Sequence, residues 1–220
     1  MVAGPSGVGK GTIVRRVREL VPGLQLSVSV TTRLPRESLG EREGIDYFFV
    51  SPEEFEALVL EGGLLEWAEL FGKRYGTPRA WVQDALAAGQ DVVLEIDVQG
   101  AQQIREAMPD AVLIFLDPPS LGELERRLRS RGSEDEQKLA DRLAKADWER
   151  EQQEWFDHVV VNDDVERASS QVAAIIETSR SSPDRSTETD RPRSIDRDRS
   201  TETDRPSRKA GPKPEGHDRP

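Results

Sequence analysis

The sequence predicts an α/β domain with a parallel β-sheet core, followed by a disordered C-terminal tail. Strand-like and helix-like patterns alternate over residues 1–178, which is typical of β-α-β units. A glycine-rich loop stands between the first predicted strand and the first predicted helix. From residue 179 to 220 the only aliphatic side chains are Ile195 and Ala210. A segment with so little to bury cannot offset its ordering entropy, so we predict that it is disordered.

The elements before residue 90 follow from apolar spacing and from capping signals. A period of about 3.6 predicts a helix at Lys10–Val21, and alternating apolar and polar side chains predict a half-buried strand at Leu26–Thr31. Ser51 to Glu54 form a capping box with proline at the first helical position, so a helix begins there. We also predict the end of a strand at Met1–Ala3, short strands at Leu64–Leu70 and Lys73–Tyr75, and a helix from Thr77-Pro78 to Gly89.

After residue 90 the pattern returns to buried strands separated by helices. Val92–Ile96 and Ala111–Leu116 are short apolar runs of the kind that parallel sheets bury. The short strands between residues 26 and 88 interrupt this rhythm, so we interpret 26–88 as an insert in a core of residues 1–25 and 89–178. The remaining predicted elements are helices at Gln99–Met108, Ser120–Leu128, Asp135–Gln153 and Val165–Thr178, and a last strand at His158–Val161.

The 220-residue chain is acidic, with a formal net charge of −11 at pH 7, and it contains no cysteine. This charge disfavours non-specific binding to nucleic acid or to anionic membranes, so we expect neither as a partner. The longest apolar run, Ala111–Leu116, is far shorter than a membrane span requires, and no secretory signal is visible. We therefore expect a cytoplasmic protein, monomeric or homodimeric, without disulfides or thiolate chemistry.

The glycine-rich loop at Gly4–Lys10 fits the nucleotide-binding pattern G-x-x-x-x-G-K between a strand and a helix. Its backbone N–H groups and the N-terminal end of the following helix favour phosphate oxygens, and Lys10 adds a mobile ammonium. The predicted fold class is therefore a P-loop NTPase-type parallel sheet core, and the loop alone indicates only that it binds a nucleotide. The predicted ATP-binding residues of the loop are Gly4, Pro5, Ser6, Gly7, Val8, Gly9, Lys10, Gly11 and Thr12.

Two features of this loop depart from the usual pattern. Gly11 follows Lys10 where serine or threonine usually offers Mg²⁺ a hydroxyl. The Gly-Lys-Gly-Thr form resembles that of adenylate kinases, in which the metal keeps more of its waters, so we expect Mg²⁺ to arrive with ATP. Three residues precede Gly4, whereas a central parallel strand normally has about five. We expect either that the strand begins upstream of Met1 or that the central strand is shortened.

The region after the first helix carries the motifs of one enzyme family. Five segments follow one another in order, and further residues lie farther along the chain. They are Ser29–Arg36, Gly40-Glu41 with Gly44–Tyr47, Glu66–Ala68, Tyr75–Thr77 and Ile96–Gly100, followed by Arg127, Arg131-Gly132, Arg142 and Val161–Asp163. Together these segments resemble guanylate kinases. The resemblance covers residues 4–178 and implies transfer of the γ-phosphoryl group of ATP to GMP. It also implies that the insert at 26–88 binds GMP and that a helical lid lies at 127–153.

The resemblance assigns roles to side chains on the acceptor side. Arg33 and Arg36 are expected to clamp the phosphate of GMP, and Tyr47 and Tyr75 to donate hydroxyl hydrogen bonds. In the base site, carboxylates would accept from guanine N1 and N2, and hydroxyls would complete the polar edge. These base-site residues are Glu66, Asp97, Ser29 and Thr77.

On the donor side, the resemblance implies that lid arginines reach the phosphates of ATP and neutralise charge there. These arginines are Arg127, Arg131 and Arg142. Asn162 matches a residue near the adenine ring, and Glu95 stands where the family commonly has aspartate. No general base is expected, because the attacking phosphate of GMP is already ionised. The residues expected to act in catalysis are Lys10, Arg33, Arg131 and Arg142.

Other interpretations remain open. The arginines of the insert could be loop ion-pair partners, the lid arginines could belong to a solvated face, and Asp97 could be a helix N-cap. For the whole chain, the alternatives are a catalytically weak or inert guanylate-kinase-like interaction module and a kinase for another nucleoside monophosphate. Glu66 and Asp97 argue against AMP, which has an acceptor at N1 and no 2-amino group. The intact phosphate loop argues against the module, which has typically lost it.

Overall fold

The computed structural model describes residues 1–37, 40–130 and 136–181, and every structural statement below concerns that part of the chain. Nine strands and seven α-helices follow one another within these ranges. The strands are β1 (Val2–Ala3), β2 (Gln25–Leu26), β3 (Val30–Thr31), β4 (Phe48–Phe49), β5 (Leu64–Leu70), β6 (Lys73–Pro78), β7 (Val92–Val93), β8 (Ile114–Asp117) and β9 (His158–Val161). The helices are α1 (Lys10–Leu20), α2 (Pro52–Leu60), α3 (Arg79–Ala87), α4 (Val98–Ala107), α5 (Leu121–Ser130), α6 (Glu136–Glu151) and α7 (Val165–Ser181).

The core sheet is parallel, as the sequence predicts. Strand β8 pairs with β1 on one side and with β9 on the other, and β2 pairs with β7. Val2 joins these two groups, because its N–H donates to Leu94 O at 2.9 Å and its carbonyl accepts from Ile96 N–H at 3.2 Å. The strands therefore lie in the order β2-β7-β1-β8-β9, with the two-residue β1 in the middle.

Helices cover both faces of this sheet, because the two side chains of β1 lie on opposite faces and pack against different helices. Val2 packs in a cluster with Val17 of α1 and Val172 of α7, whereas Ala3 packs on the other face with Ile104 of α4 and Val82 of α3. Each of these side chains is at most 2% exposed. Strand β1 thus places the loop that follows it at the carboxyl edge of the sheet.

The insert forms its own mixed sheet in the order β4-β3-β6-β5. Strands β5 and β6 form an antiparallel hairpin, and β3 pairs with β6. Helix α2 begins at the predicted capping box, in which Ser51 Oγ accepts from Glu54 N–H at 3.1 Å and the Glu54 carboxylate accepts from Ser51 N–H at 2.7 Å. Phe55 of α2 is fully buried and packs against this sheet.

The single strand predicted at Leu26–Thr31 is wrong. Gln25–Leu26 pairs with β7 in the core sheet, whereas Val30–Thr31 pairs with β4 and β6 in the insert. Ser27 N–H still bonds to Val93 O at 3.1 Å, so the chain leaves the core sheet just after that residue. The alternating pattern reports a half-buried extended segment and carries no information about which neighbour each half joins.

Other element ends differ by a few residues from the sequence prediction. The strand predicted at Val92–Ile96 is regular only at Val92–Val93, and the strand predicted at Ala111–Leu116 lies at Ile114–Asp117. Helix α7 runs to Ser181, so the predicted disorder is wrong for 179–181. The rest of the predicted tail, 182–220, lies outside the described residues. None of the helices in the described part of the chain combines the length and apolar character that a membrane span requires.

Candidate active site

The phosphate loop lies between β1 and α1, at the carboxyl edge of the core sheet. Gly4, Gly7 and Gly9 have φ values of 145°, 90° and 102°, a region that side-chain-bearing residues rarely adopt. A Cβ on Gly4 would lie 2.3 Å from Leu116 O, so this position also has no room for a side chain. Lys10 Nζ donates to Gly4 O at 2.7 Å and to Pro5 O at 3.2 Å. Its ammonium is therefore held over the curve of the loop, where an anion would meet it.

Two residues predicted for the donor site converge on this loop from distant parts of the sequence. Asn162, which follows β9 and is 3% exposed, donates from Nδ2 to Val8 O at 2.7 Å. Arg127 of α5 donates to Val8 O at 3.2 Å and to Asn162 O at 3.0 Å. The structure thus brings Arg127 and Asn162 to the edge of the phosphate loop, at the side away from β7.

Glu95 faces the first turn of α1. Its Oε2 lies 3.3 Å from the position that a Cβ on Gly11 would occupy, so the glycine leaves space between the helix and this carboxylate. Within the described residues no group of three or more histidine, cysteine, aspartate or glutamate side chains could hold a metal ion. One carboxylate beside a phosphate loop suits Mg²⁺, a hard ion that keeps several waters and takes its other ligands from a nucleotide.

Arg33 is the centre of a cluster of charged and aromatic side chains in the insert. Its guanidinium forms a two-pronged ion pair with Glu41, at 2.8 Å and 2.9 Å, and both side chains are 11% exposed. The guanidinium also lies 5.0 Å from the ring centre of Tyr47, which is packed edge-on against Tyr75 at 6.1 Å. Arg33, Tyr47 and Tyr75 are thus brought together as predicted. Burial raises the pKa of Tyr47, so its hydroxyl stays a donor.

Arg36 has an exposed side chain, whose charge acts on Glu41. Its backbone N–H donates to Glu41 Oε2 at 2.7 Å. The neighbouring residues Ser38 and Leu39, where the sequence is longer than the family pattern, lie outside the described residues. Glu41 therefore organises the loop that carries both arginines. Sequence reasoning missed this role because residues of an irregular loop lack the repeating apolar pattern from which the orientation of a side chain can be predicted.

Glu66 and Thr77 face each other across the β5–β6 hairpin. They are paired in the sheet register, and Thr77 Oγ1 donates to Glu66 Oε1 at 2.6 Å. Glu66 is 5% exposed and Thr77 is fully buried. Burial raises the pKa of Glu66 to about 7; the Thr77 hydrogen bond opposes this, and the negative charge of Asp97 adds to it. A buried carboxylate with one oxygen already bonded is suited to accept from a ligand with adjacent donors.

Asp97 lies beside Glu66 at the start of α4. Its Oδ1 accepts from Gly100 N–H at 2.8 Å, so it is a helix N-cap, as the open alternative held. Its Oδ2 accepts from Lys145 Nζ of α6 at 3.3 Å. A Cβ on Gly100 would lie 2.2 Å from Glu66 Oε2, so glycine is what allows the two carboxylates to come close. Ser29, half-buried just before β3, completes the predicted base-site set.

Gln103 fixes the strand that carries Glu66, and sequence reasoning missed it. Its amide donates to Trp67 O at 2.6 Å and accepts from Trp67 N–H at 3.1 Å, which ties α4 to β5 like one more rung of a sheet. The i, i+3 spacing of Gly100 and Gln103 on one face of α4 is a signal that could have found it.

Helices α5 and α6, which contain the described part of the lid predicted at 127–153, pack together through Leu124, Leu128, Leu139 and Ala146. Arg142 of α6 points its guanidinium at Phe71, at 5.1 Å from the ring centre.

Glu149, near the end of α6, is 2% exposed. Burial raises the pKa of this carboxyl to about 7, while the charges of Lys10 and Lys145 oppose the rise. Arg131, predicted to act in catalysis, lies outside the described residues.

A phosphate loop on a parallel sheet, accompanied by a second sheet that carries a largely buried arginine and a buried glutamate, is typical of a P-loop phosphotransferase. The family model described as guanylate kinase matches residues 1–179. The chain belongs to the guanylate kinase family.

Individual relatives agree with the family model. The chain is 54% identical to the guanylate kinase of Synechococcus sp. (strain CC9311) over 172 residues, which cover 78% of this chain and 90% of that protein. It is 52% identical to a guanylate kinase of Thermus thermophilus over 180 residues, covering 82% of this chain and 80% of that protein. The crystal structure of guanylate kinase from Anaplasma phagocytophilum matches with a TM-score of 0.69 and 36% identity, covering 83% of this chain and 86% of that one.

Proposed function

We propose that the chain transfers the γ-phosphoryl group of ATP to GMP, giving ADP and GDP, and that its site residues act as follows. The assignment of GMP as the phosphoryl acceptor rests on one observation. The Glu66 carboxylate is only 5% exposed, accepts a hydrogen bond from Thr77 and lies beside Asp97. Guanine presents donors at N1 and N2, which carboxylates accept with charge-assisted bonds. Adenine presents a lone pair at N1, which would face Glu66 acceptor to acceptor.

ATP is held by the phosphate loop on the donor side. The loop N–H groups and the N-terminal end of α1 bind phosphate oxygens, and Lys10 moves from Gly4 O and Pro5 O to the β- and γ-phosphates. Arg127 borders the same loop and neutralises phosphate charge, with Arg131 and Arg142 supplying further cations from the lid. Asn162 lies against Val8 and lines the adenine side.

The phosphate of GMP is bound by the cluster around Arg33 in the insert. Its dianion takes the place of the Glu41 carboxylate on Arg33, and the hydroxyls of Tyr47 and Tyr75 donate to its remaining oxygens. Arg36 reaches the phosphate from the exposed side of the same loop. Ser29 and Thr77 complete the polar edge around guanine.

The reaction needs positioning and charge neutralisation more than bond-making groups on the protein. An ionised oxygen of GMP attacks the γ-phosphorus in line with the departing ADP oxygen, so no general base is required. Mg²⁺ carried with ATP would supply charge neutralisation at the β- and γ-phosphates, and Glu95 beside Gly11 would hold it through water. Lid closure excludes water, which would otherwise compete with GMP for the phosphoryl group.

One coupled assay tests the assignment. ADP formation is measured with ATP·Mg²⁺ and, in turn, GMP, AMP, dTMP and UMP. We expect turnover with GMP to exceed that with each other acceptor by at least about 10³-fold, the range that base-reading hydrogen bonds provide. Equal use of AMP would refute the guanine site, and ADP formation with none of the four would favour a non-catalytic module.

A further inference from the structure

The tip of the β5–β6 hairpin has an unusual residue for its backbone conformation. Leu70 pairs with Lys73, so Phe71 and Gly72 form a two-residue turn. Both have positive φ, 52° and 71°, which is the pattern of a type I′ turn. This turn favours asparagine, aspartate or glycine at its first central position, and Phe71 is the one non-glycine residue with positive φ in the described part of the chain. A side chain that the turn disfavours therefore stands at its tip.

The ring of Phe71 does not serve the core of the insert, because the residue is 50% exposed. It faces two cations of the lid helix α6 instead. Arg142 Cζ lies 5.1 Å and Lys145 Nζ 5.9 Å from the ring centre. Both distances are within the range at which the electron-rich face of an aromatic ring attracts a cation. Arg142 and Lys145 are three residues apart, so they lie on the same face of the helix.

The same face of α6 also reaches the base site. Lys145 donates to Asp97 Oδ2 at 3.3 Å, so one side chain touches both the hairpin tip and the start of α4. The lid helix is thus joined to the acceptor insert at Phe71 and to the sheet core at Asp97.

We propose that Phe71 is a positioning residue for phosphoryl transfer, whose ring holds Arg142 and Lys145 of the lid against the acceptor insert. The inference rests on the proposed function, because it takes Arg142 as a ligand of the phosphoryl group. A guanidinium lying on a ring keeps its N–H edge outward, so the ring fixes the guanidinium plane without using the donors that phosphate needs. The residues that suit this turn better, which are asparagine, aspartate and glycine, have no aromatic ring with which to hold the two cations.

The test uses substitutions at Phe71 in the full-length chain with GMP and ATP·Mg²⁺. Phe71→Leu keeps an apolar side chain in the same backbone conformation and removes only the ring. We expect kcat to fall about fivefold to tenfold, since two weak cation–ring contacts are lost, with KM for GMP within about twofold of wild type. Phe71→Tyr and Phe71→Trp keep a ring and should retain kcat within about twofold.

Phe71→Asn separates this role from a structural one. Asparagine suits the turn, so its melting temperature should equal or exceed that of wild type while its kcat falls as in Phe71→Leu. Leu60→Asn, at another exposed apolar residue of the insert, is the matched control and should leave kcat unchanged.

The outcomes separate the two proposals. Wild-type turnover of GMP with an unchanged kcat in Phe71→Leu overturns the positioning role alone. A lower melting temperature in Phe71→Asn, with kcat not restored by Phe71→Tyr, would show a structural role and also overturn it. A wild-type protein that forms no ADP with GMP overturns the proposed function and this inference with it.

Discussion

Replacing Glu66 by glutamine should raise the stability of the protein at alkaline pH relative to wild type and lower its catalytic efficiency with GMP. The carboxylate is 5% exposed and bonds to Thr77 through one oxygen. Glutamine keeps an oxygen for Thr77 but turns the other end from an acceptor into a donor. Guanine then loses one charge-assisted bond and meets a donor where it presents donors, whereas adenine N1 gains a partner. We expect kcat/KM for GMP to fall about 10–100-fold and the preference for GMP over AMP to narrow.

The stability effect follows from the pKa of Glu66. Burial raises this pKa from 4.5 to about 7, against the Thr77 hydrogen bond and with the help of Asp97. Between these two pH values the folded state binds more protons than the unfolded state. The stabilisation from this group is therefore complete below pH 4.5 and is lost as the pH rises through about 7. The loss corresponds to about 3 kcal/mol at about 1.4 kcal/mol per pH unit, and glutamine does not incur it.

The assay combines urea unfolding at pH 5 and pH 8 with steady-state kinetics. Relative to wild type, Glu66→Gln should gain about 2–3 kcal/mol in unfolding free energy between the two pH values. Glu69→Gln, at an exposed glutamate of the same strand, is the control and should show no such gain. For wild type, kcat/KM for GMP should rise with pH through about 7, as the free carboxylate ionises. A pH-independent stability difference, or an unchanged GMP/AMP ratio, would refute the reasoning.

Three further variants test other parts of the site. Lys10→Met should lower kcat at least about 10²-fold at an unchanged melting temperature, because the ammonium acts mainly as negative charge develops on the phosphoryl group. An active variant would show that the loop is not the ATP site. Glu41→Gln should lower KM for GMP about twofold to fivefold with kcat within about twofold, because the phosphate of GMP no longer has to displace a carboxylate from Arg33; a higher KM would show that Glu41 orients Arg33 more than it competes with the ligand. Gly100→Ala should lower kcat/KM for GMP at least about tenfold, since its methyl group would displace the Glu66 carboxylate; kinetics equal to wild type would contradict the close approach.

The sequence predicts best those features whose signal is local. The capping box at Ser51 and the strand–loop–helix context of Lys10 each involve a few adjacent residues, and both appear in the structure as predicted. The pairing of Glu66 with Thr77 does not follow in this way, because the sequence pattern predicts Thr77 at the start of a helix, whereas the structure extends β6 to Pro78. In the first two cases the chain itself limits the geometry, so little tertiary information is needed.

The features that sequence reasoning missed depend on contacts across the fold. Glu41 meets Arg33 inside an irregular loop, and Gln103 meets the backbone of Trp67 across 36 residues. The segment Leu26–Thr31 divides between two sheets, although its pattern of side chains is uniform. Period and propensity describe which face of an element is buried, whereas partner choice depends on where distant elements arrive.

Because the protein has a negative net charge, the acceptors that hold its local cations matter for the binding of anionic substrates. A chain of net charge −11 binds two polyanions, so its local cations must outweigh a repulsive long-range field. The structure holds three such cations on protein acceptors, with Arg33 on Glu41, Lys145 on Asp97 and Lys10 on the carbonyls of its own loop. A phosphate dianion that replaces a carboxylate monoanion on Arg33 gains attraction without first stripping water from the guanidinium. These protein acceptors therefore keep the cations oriented, and at Arg33 the carboxylate favours exchange for a ligand of higher negative charge over a ligand that carries a single charge.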